Sequence, residues 1–187
     1  MKQELLIGIT ESGVMHTDAD PPIPLETKFQ MVKESGVYDY FDKTPPLELE
    51  DDYRRCSEKY DLPILAGGWF YVLGRDEDLL MENLRLGARL GSLVHNTQII
   101  MDHQDGSLVS DEQVVEIYLR AYETGEACGC RPTFEVHVNM WSEDFRRIEK
   151  VADLVEKRGI PFRMTLDHSH VIIKIDNPRE QQVYNNS

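Results

Sequence analysis

The chain has 187 residues, enough for one domain with a substantial core, and carries 34 acidic against 20 basic side chains, a formal net charge of −14. The basic residues are scattered among acidic ones, as in Arg146-Arg147-Ile148-Glu149-Lys150. Proteins that grip phosphates cluster theirs, so no nucleic-acid partner is expected. No stretch is apolar enough for a membrane span and no secretory signal opens the chain, so Cys56, Cys128 and Cys130 are expected as reduced thiols in the cytoplasm.

Strand-like and helix-like segments alternate along the chain. Leu5–Thr10 reads as a strand, and Leu25, Phe29 and Val32 mark a helix that stops at Gly36. Val37–Asp42 is β-prone, and Pro45-Pro46 starts a helix with an acidic first turn that runs to about Tyr60. Leu62–Tyr71 is the third strand, followed by a helix from Asp76 to about Leu90. Leu93–Asp102 is the fourth, with His95 at its start read as structural. Ser110-Asp111-Glu112-Gln113 is a capping box ahead of a helix bearing Val114, Ile117, Tyr118 and Ala121 on one face. Pro132–Met140 is the fifth strand, Ser142 is read as the cap of the next helix, and Pro161–Leu166 is the sixth strand.

Alternating β and α with short loops implies parallel strands and right-handed crossovers in a single domain, 1–187. Two architectures fit. An open, doubly wound parallel α/β sheet gathers its ligand at one switch point, usually behind a glycine-rich phosphate loop, which Gly8-Ile9-Thr10-Glu11-Ser12-Gly13 imitates only weakly. A (β/α)8 TIM barrel instead surrounds its site with successive βα loops. Polar groups follow several strands here: Asp42 with Lys43, Trp69, Asp102 with His103, Glu135 with His137, and Asp167 with His170. The barrel is therefore expected, with about six of its eight βα units present.

The richest segments are Thr133–Asn139 and Thr165–His170. In the first, Glu135, His137 and Asn139 alternate with Phe134, Val136 and Val138, so the polar three are expected on one strand face. Carboxylate oxygen and imidazole nitrogen together suit a divalent transition metal.

With Glu135-Val136-His137 after strand five and Asp167-His168-Ser169-His170 after strand six, the chain resembles the xylose isomerase-like TIM barrels. That group holds sugar isomerases, ketose epimerases, inosose dehydratases and endonuclease-IV-type (AP endonuclease family 2) enzymes. The resemblance spans essentially the whole chain as the first six repeats. It implies a divalent metal (Mn, Mg, Co or Zn) held by Glu135, Asp167, His170 and, as in the endonuclease branch, His103. It also implies that further ligands from strands seven and eight lie outside these 187 residues, so that the chain is expected to be a fragment of a longer barrel.

The implied activity is a sugar or keto-polyol isomerase or epimerase working through a metal-stabilised enediolate. Glu135 is the proton-moving carboxylate, and His170 is either a ligand or a hydrogen-bond donor to a substrate hydroxyl. His137, Trp69 and Lys174 are the candidate substrate contacts. Trp69 stacks on a sugar ring or covers a helix, and Lys174 meets a substrate oxygen or simply faces solvent. Dehydratase, phosphodiesterase and non-catalytic sugar-binding roles are the alternatives. The expected partner is a small sugar or polyol, with a homo-oligomer possible.

Overall fold

A computed structural model describes residues 5–14 and 22–170. Among them six parallel strands form one sheet: β1 (Gly8–Thr10), β2 (Tyr40–Asp42), β3 (Ile64–Tyr71), β4 (Val94–Ile99), β5 (Arg131–Val136) and β6 (Met164–Leu166). Five helices connect them: α1 (Leu25–Ser35), α2 (Glu50–Tyr60), α3 (Glu77–Leu90), α4 (Asp111–Cys128) and α5 (Phe145–Glu156). No helix among the described residues is long and apolar enough to cross a membrane.

Strand order decides between the two architectures. Each strand pairs with its predecessor, β1-β2-β3-β4-β5-β6, with no reversal anywhere. A doubly wound sheet must reverse direction at its switch point. Consecutive helices also pack on one another, α1 on α2 through to α4 on α5. This is a partial TIM barrel, its helices forming an arc outside a curled sheet.

The core lies between that arc and the outer face of the sheet. Phe29 and Val32 of α1 meet Phe41, Tyr53, Cys56 and Ile64 in one apolar cluster. A larger one joins Leu80 and Leu84 of α3, Ile99, Tyr118 and Ala121 of α4, Phe134, and Val151 and Val155 of α5. Because strand side chains alternate, turning Phe41, Ile99 and Phe134 toward the helices turns Asp42, Gln98 and Glu135 to the inner face. The fold thereby presents a polar inner surface.

Local signals act largely as expected. Ser110 Oγ accepts from the Gln113 N–H at 3.1 Å while Gln113 Oε1 accepts from the Ser110 N–H at 2.8 Å, closing the capping box. α1 ends at Gly36, whose φ of 63° suits a residue without Cβ. Two expectations need correction. The Pro45-Pro46 start leads first into a 3-10 turn, Leu47–Leu49, and α2 begins only at Glu50. Ser142 does not cap α5: Asp144 does, accepting from the Arg146 N–H, while Ser142 is buried in the 3-10 turn Trp141–Glu143.

His95 points outward into the sheet–helix layer and is 1% exposed. Tyr71 accepts from Asn83 Nδ2 at 2.8 Å and gives its own proton to His95 Nε2 at 2.7 Å, which leaves the ring proton on Nδ1, facing Thr44 Oγ1 at 3.3 Å. Burial lowers its pKa to about 3. Below about pH 6.5 the unfolded chain therefore binds a proton that the native state refuses, and stability falls by about 1.4 kcal/mol per pH unit from this group until the folded pKa is reached. In urea titrations between pH 7 and pH 4, His95→Gln should flatten the acid-side slope. An unchanged slope would contradict the neutral-histidine assignment.

Candidate metal centre

Glu135 is the inner-face residue near the end of β5 and is 6% exposed. Adjacent β4 is registered with Asn96 opposite Thr133, which sets Gln98 level with Glu135. Asn96 Nδ2 donates to Glu135 Oε2 at 2.6 Å, and Gln98 Nε2 donates to the same oxygen. On the other side Glu135 pairs with Thr165 of β6. The Thr165 hydroxyl also bonds that of Thr133 at 2.6 Å and ties the two strands together on the inner face.

Asp167 follows β6 and folds the backbone onto its own side chain, the turn that Asp makes readily. Its Oδ1 accepts from the Ser169 N–H at 2.8 Å, the Ser169 hydroxyl at 2.6 Å and the His170 N–H at 3.4 Å. The Ser169 hydroxyl contributes most to holding this carboxyl below the usual range, against an opposing effect of burial. The turn returns His170 toward the sheet, with Nε2 3.6 Å from Asp167 Oδ2. One ligand atom each from Glu135, Asp167 and His170 lies within 4.8 Å of the others.

Three features show that a cation fits here. The donor set, two carboxylates and an imidazole, is one that Mn, Co or Zn accepts. His170 Nδ1 is buried without a hydrogen-bond partner. Asp42, at the end of β2, has its pKa raised first by burial and then by the charge of Glu135, against a smaller lowering by Lys43, so acidic groups gather on the inner face where a cation would offset them.

His137 lies just past β5, which ends at Val136 and not at the expected Met140. It and Asn139 are therefore not on the strand face with Glu135, and Asn139 takes the left-handed conformation at φ 61°. The imidazole still reaches the site. Its ring centroid is 3.6 Å from that of His170 and 5.9 Å from that of Phe70, and its Nδ1–H donates to the Val138 carbonyl at 2.6 Å. Ser142 fixes this exit from the strand, donating to the Glu135 carbonyl and accepting from the His137 N–H at 3.2 Å.

Of the remaining expected residues, His103 and Trp69 fall elsewhere. His103 stands outside the ligand group. The loop after β4 turns back on itself, with the His103 N–H bonded to the Ser107 carbonyl at 2.8 Å, and the ring packs against Gly74 with Nδ1 3.1 Å from Asp105. Trp69 sits on the rim. It borders an outer cleft of about 350 Å³ with Pro45, Pro46, Leu79 and Asn83, and also an inner pocket of about 320 Å³ with Thr10, Asp42, Lys43, Phe70, Asn96 and Gln98. Lys43 reaches Glu11 at 3.0 Å. Burial alone would raise the pKa of Glu11, but its bonds to Lys28, Lys43 and Tyr53 together outweigh that and bring it down to about 2. Lys174 lies outside the described residues.

Asn96, Gln98 and Phe70 were not anticipated. Their only signal is period-two spacing on β3 and β4, and on β4 it is masked because the outward-facing His95 and Thr97 are polar too.

The described residues thus form a partial TIM barrel with carboxylates and imidazoles gathered at its C-terminal mouth. Solved structures agree on the fold, which is that of the xylose isomerase-like TIM-barrel isomerases and epimerases. D-allulose 3-epimerase from Methylomonas sp., crystallised with D-allulose, is 15% identical with a TM-score of 0.71, over 92% of this chain and 66% of its own. For 3-keto-D-glucoside 4-epimerase from E. coli the values are 13%, 0.67, 98% and 75%. For a probable 3-DHS dehydratase from Bacillus anthracis they are 13%, 0.64, 97% and 70%. The chain thus spans about two thirds to three quarters of these structures. No protein-family model and no curated protein sequence matches it.

Proposed function

We propose that the chain carries part of the active site of a divalent-metal-dependent isomerase or epimerase acting on a small sugar or keto-polyol. The observation that carries this reading is the convergence of Glu135, Asp167 and His170 within 4.8 Å at the mouth of a fold shared with sugar epimerases. These three would hold the ion. When bound, it supplies Lewis-acid polarisation of a substrate carbonyl and its neighbouring hydroxyl.

The chain's own residues do the rest. Glu135 holds the proton that passes between adjacent carbons. His170 orients a substrate hydroxyl, with His137 stacked against it. The inner pocket beside Asp42, Phe70 and Trp69 receives the remainder of a neutral polyol. We further propose that the enzyme is cytoplasmic, that residues 1–187 form one domain, and that the rest of the ligand set comes from strands beyond the six described, in the same polypeptide or in another copy. The free edges of β1 and β6 among the described residues support this last point.

The purified protein, with and without Mn²⁺, should be assayed by chromatography against a panel of ketohexoses and inososes. Metal-dependent interconversion of epimers is the expected result. Loss of water from the substrate would favour the dehydratase reading, and stoichiometric sugar binding without turnover would favour a binding protein. Intact mass and gel filtration of the natural gene product test the longer barrel, which a stable 187-residue monomer with full metal occupancy would contradict.

A further inference from the structure

The two amides on β4 do something the metal-ligand reading does not require of them. Asn96 Nδ2 and Gln98 Nε2 converge on one oxygen of Glu135, Oε2, and no described residue donates to Oε1. The arrangement leaves Asn96 Oδ1 buried with no donor. Stranding a buried acceptor is destabilising, and an apolar residue at that place would avoid it. Rotating the amide would not help, because it would set Oδ1 against the carboxylate oxygen. Both Asn96 and Gln98 also border the inner pocket.

Building on the metal-dependent reading above, we propose that Asn96 and Gln98 are positioning residues that clamp Oε2 of Glu135 and so reserve Oε1 for the cation. Two donors on one oxygen lock the rotamer of the carboxylate. The ligand is then oriented before the ion arrives. Outer partners of metal ligands typically change affinity by about 10–100-fold when removed.

The test uses the whole chain and the metal alone. Mn²⁺ affinity is measured by calorimetry, and the Co²⁺-loaded protein is examined by visible absorption, for wild type, Gln98→Met, Asn96→Ser and Asn96→Leu. Gln98→Met keeps the length of the side chain and removes its donor. Asn96→Ser retains a shorter donor and relieves the stranded Oδ1. Gln98→Met should weaken Mn²⁺ binding by roughly tenfold and alter the Co²⁺ spectrum, with an unchanged melting temperature in the absence of metal. Asn96→Ser should retain more affinity than Asn96→Leu. Unchanged affinity and spectrum in both Gln98→Met and Asn96→Leu would overturn the clamp while leaving the metal site standing. A wild type that binds no Mn²⁺ would overturn the metal-dependent reading itself, which makes the two failures distinguishable.

Discussion

Glu135→Gln is expected to weaken divalent-metal binding by roughly 100-fold or more, beyond the range that outer partners usually reach, and to abolish metal-dependent turnover. The substitution removes the buried charge at the centre of the ligand group and sets an amide against the amides of Asn96 and Gln98. It should leave the metal-free fold intact, because the residue faces the inner surface and the apolar core lies on the other side of the sheet. Titration with Mn²⁺ alongside urea unfolding of the metal-free protein checks both halves. Wild-type affinity, or turnover that survives, would remove Glu135 from the site.

The residue before it should behave in the opposite way. Phe134 is 1% exposed and packs its ring against Tyr118 at 5.0 Å and against Trp141 and Phe162 at 6.3 Å. Phe134→Ala removes a large side chain from the larger apolar cluster and should cost about 3–5 kcal/mol of stability. The loss appears in the urea midpoint of metal-free protein, and a loss below about 1 kcal/mol would mean that β5 is not seated on α4 as described. Adjacent residues on opposite strand faces thus separate function from stability.

The alternation that divides these two residues was the most readable feature of the sequence. Phe134 against Glu135 places that carboxylate on the inner face without reference to any structure. The same rule failed two residues later, because the chain leaves the sheet at Val136 and Ser142 pins the exit from outside the strand. Ser142 looked like a helix cap because it precedes a helix. Asp144, nearer to α5, takes that role and frees Ser142 for the β5 turn.

His103 was placed at the mouth by its distance along the chain from β4. Its position is set by a contact between two loops, where a turn bonded through Ser107 carries the ring onto Gly74. Sequence spacing has no access to such contacts. Asn96 and Gln98 stayed hidden for the opposite reason. They lie at the right period on a strand whose outward face, with a buried histidine and threonine, is also polar. The fold class was more accessible, since βα alternation with polar groups after several strands anticipated the sequential order that the sheet displays.

The central claim is that Glu135, Asp167 and His170 share one divalent ion. Crystals of the protein soaked in Mn²⁺ and measured at the manganese absorption edge test it most directly. The account predicts an anomalous peak within bonding distance of all three side chains, weakened or lost in Glu135→Gln. A peak elsewhere, or none at saturating Mn²⁺, would contradict it.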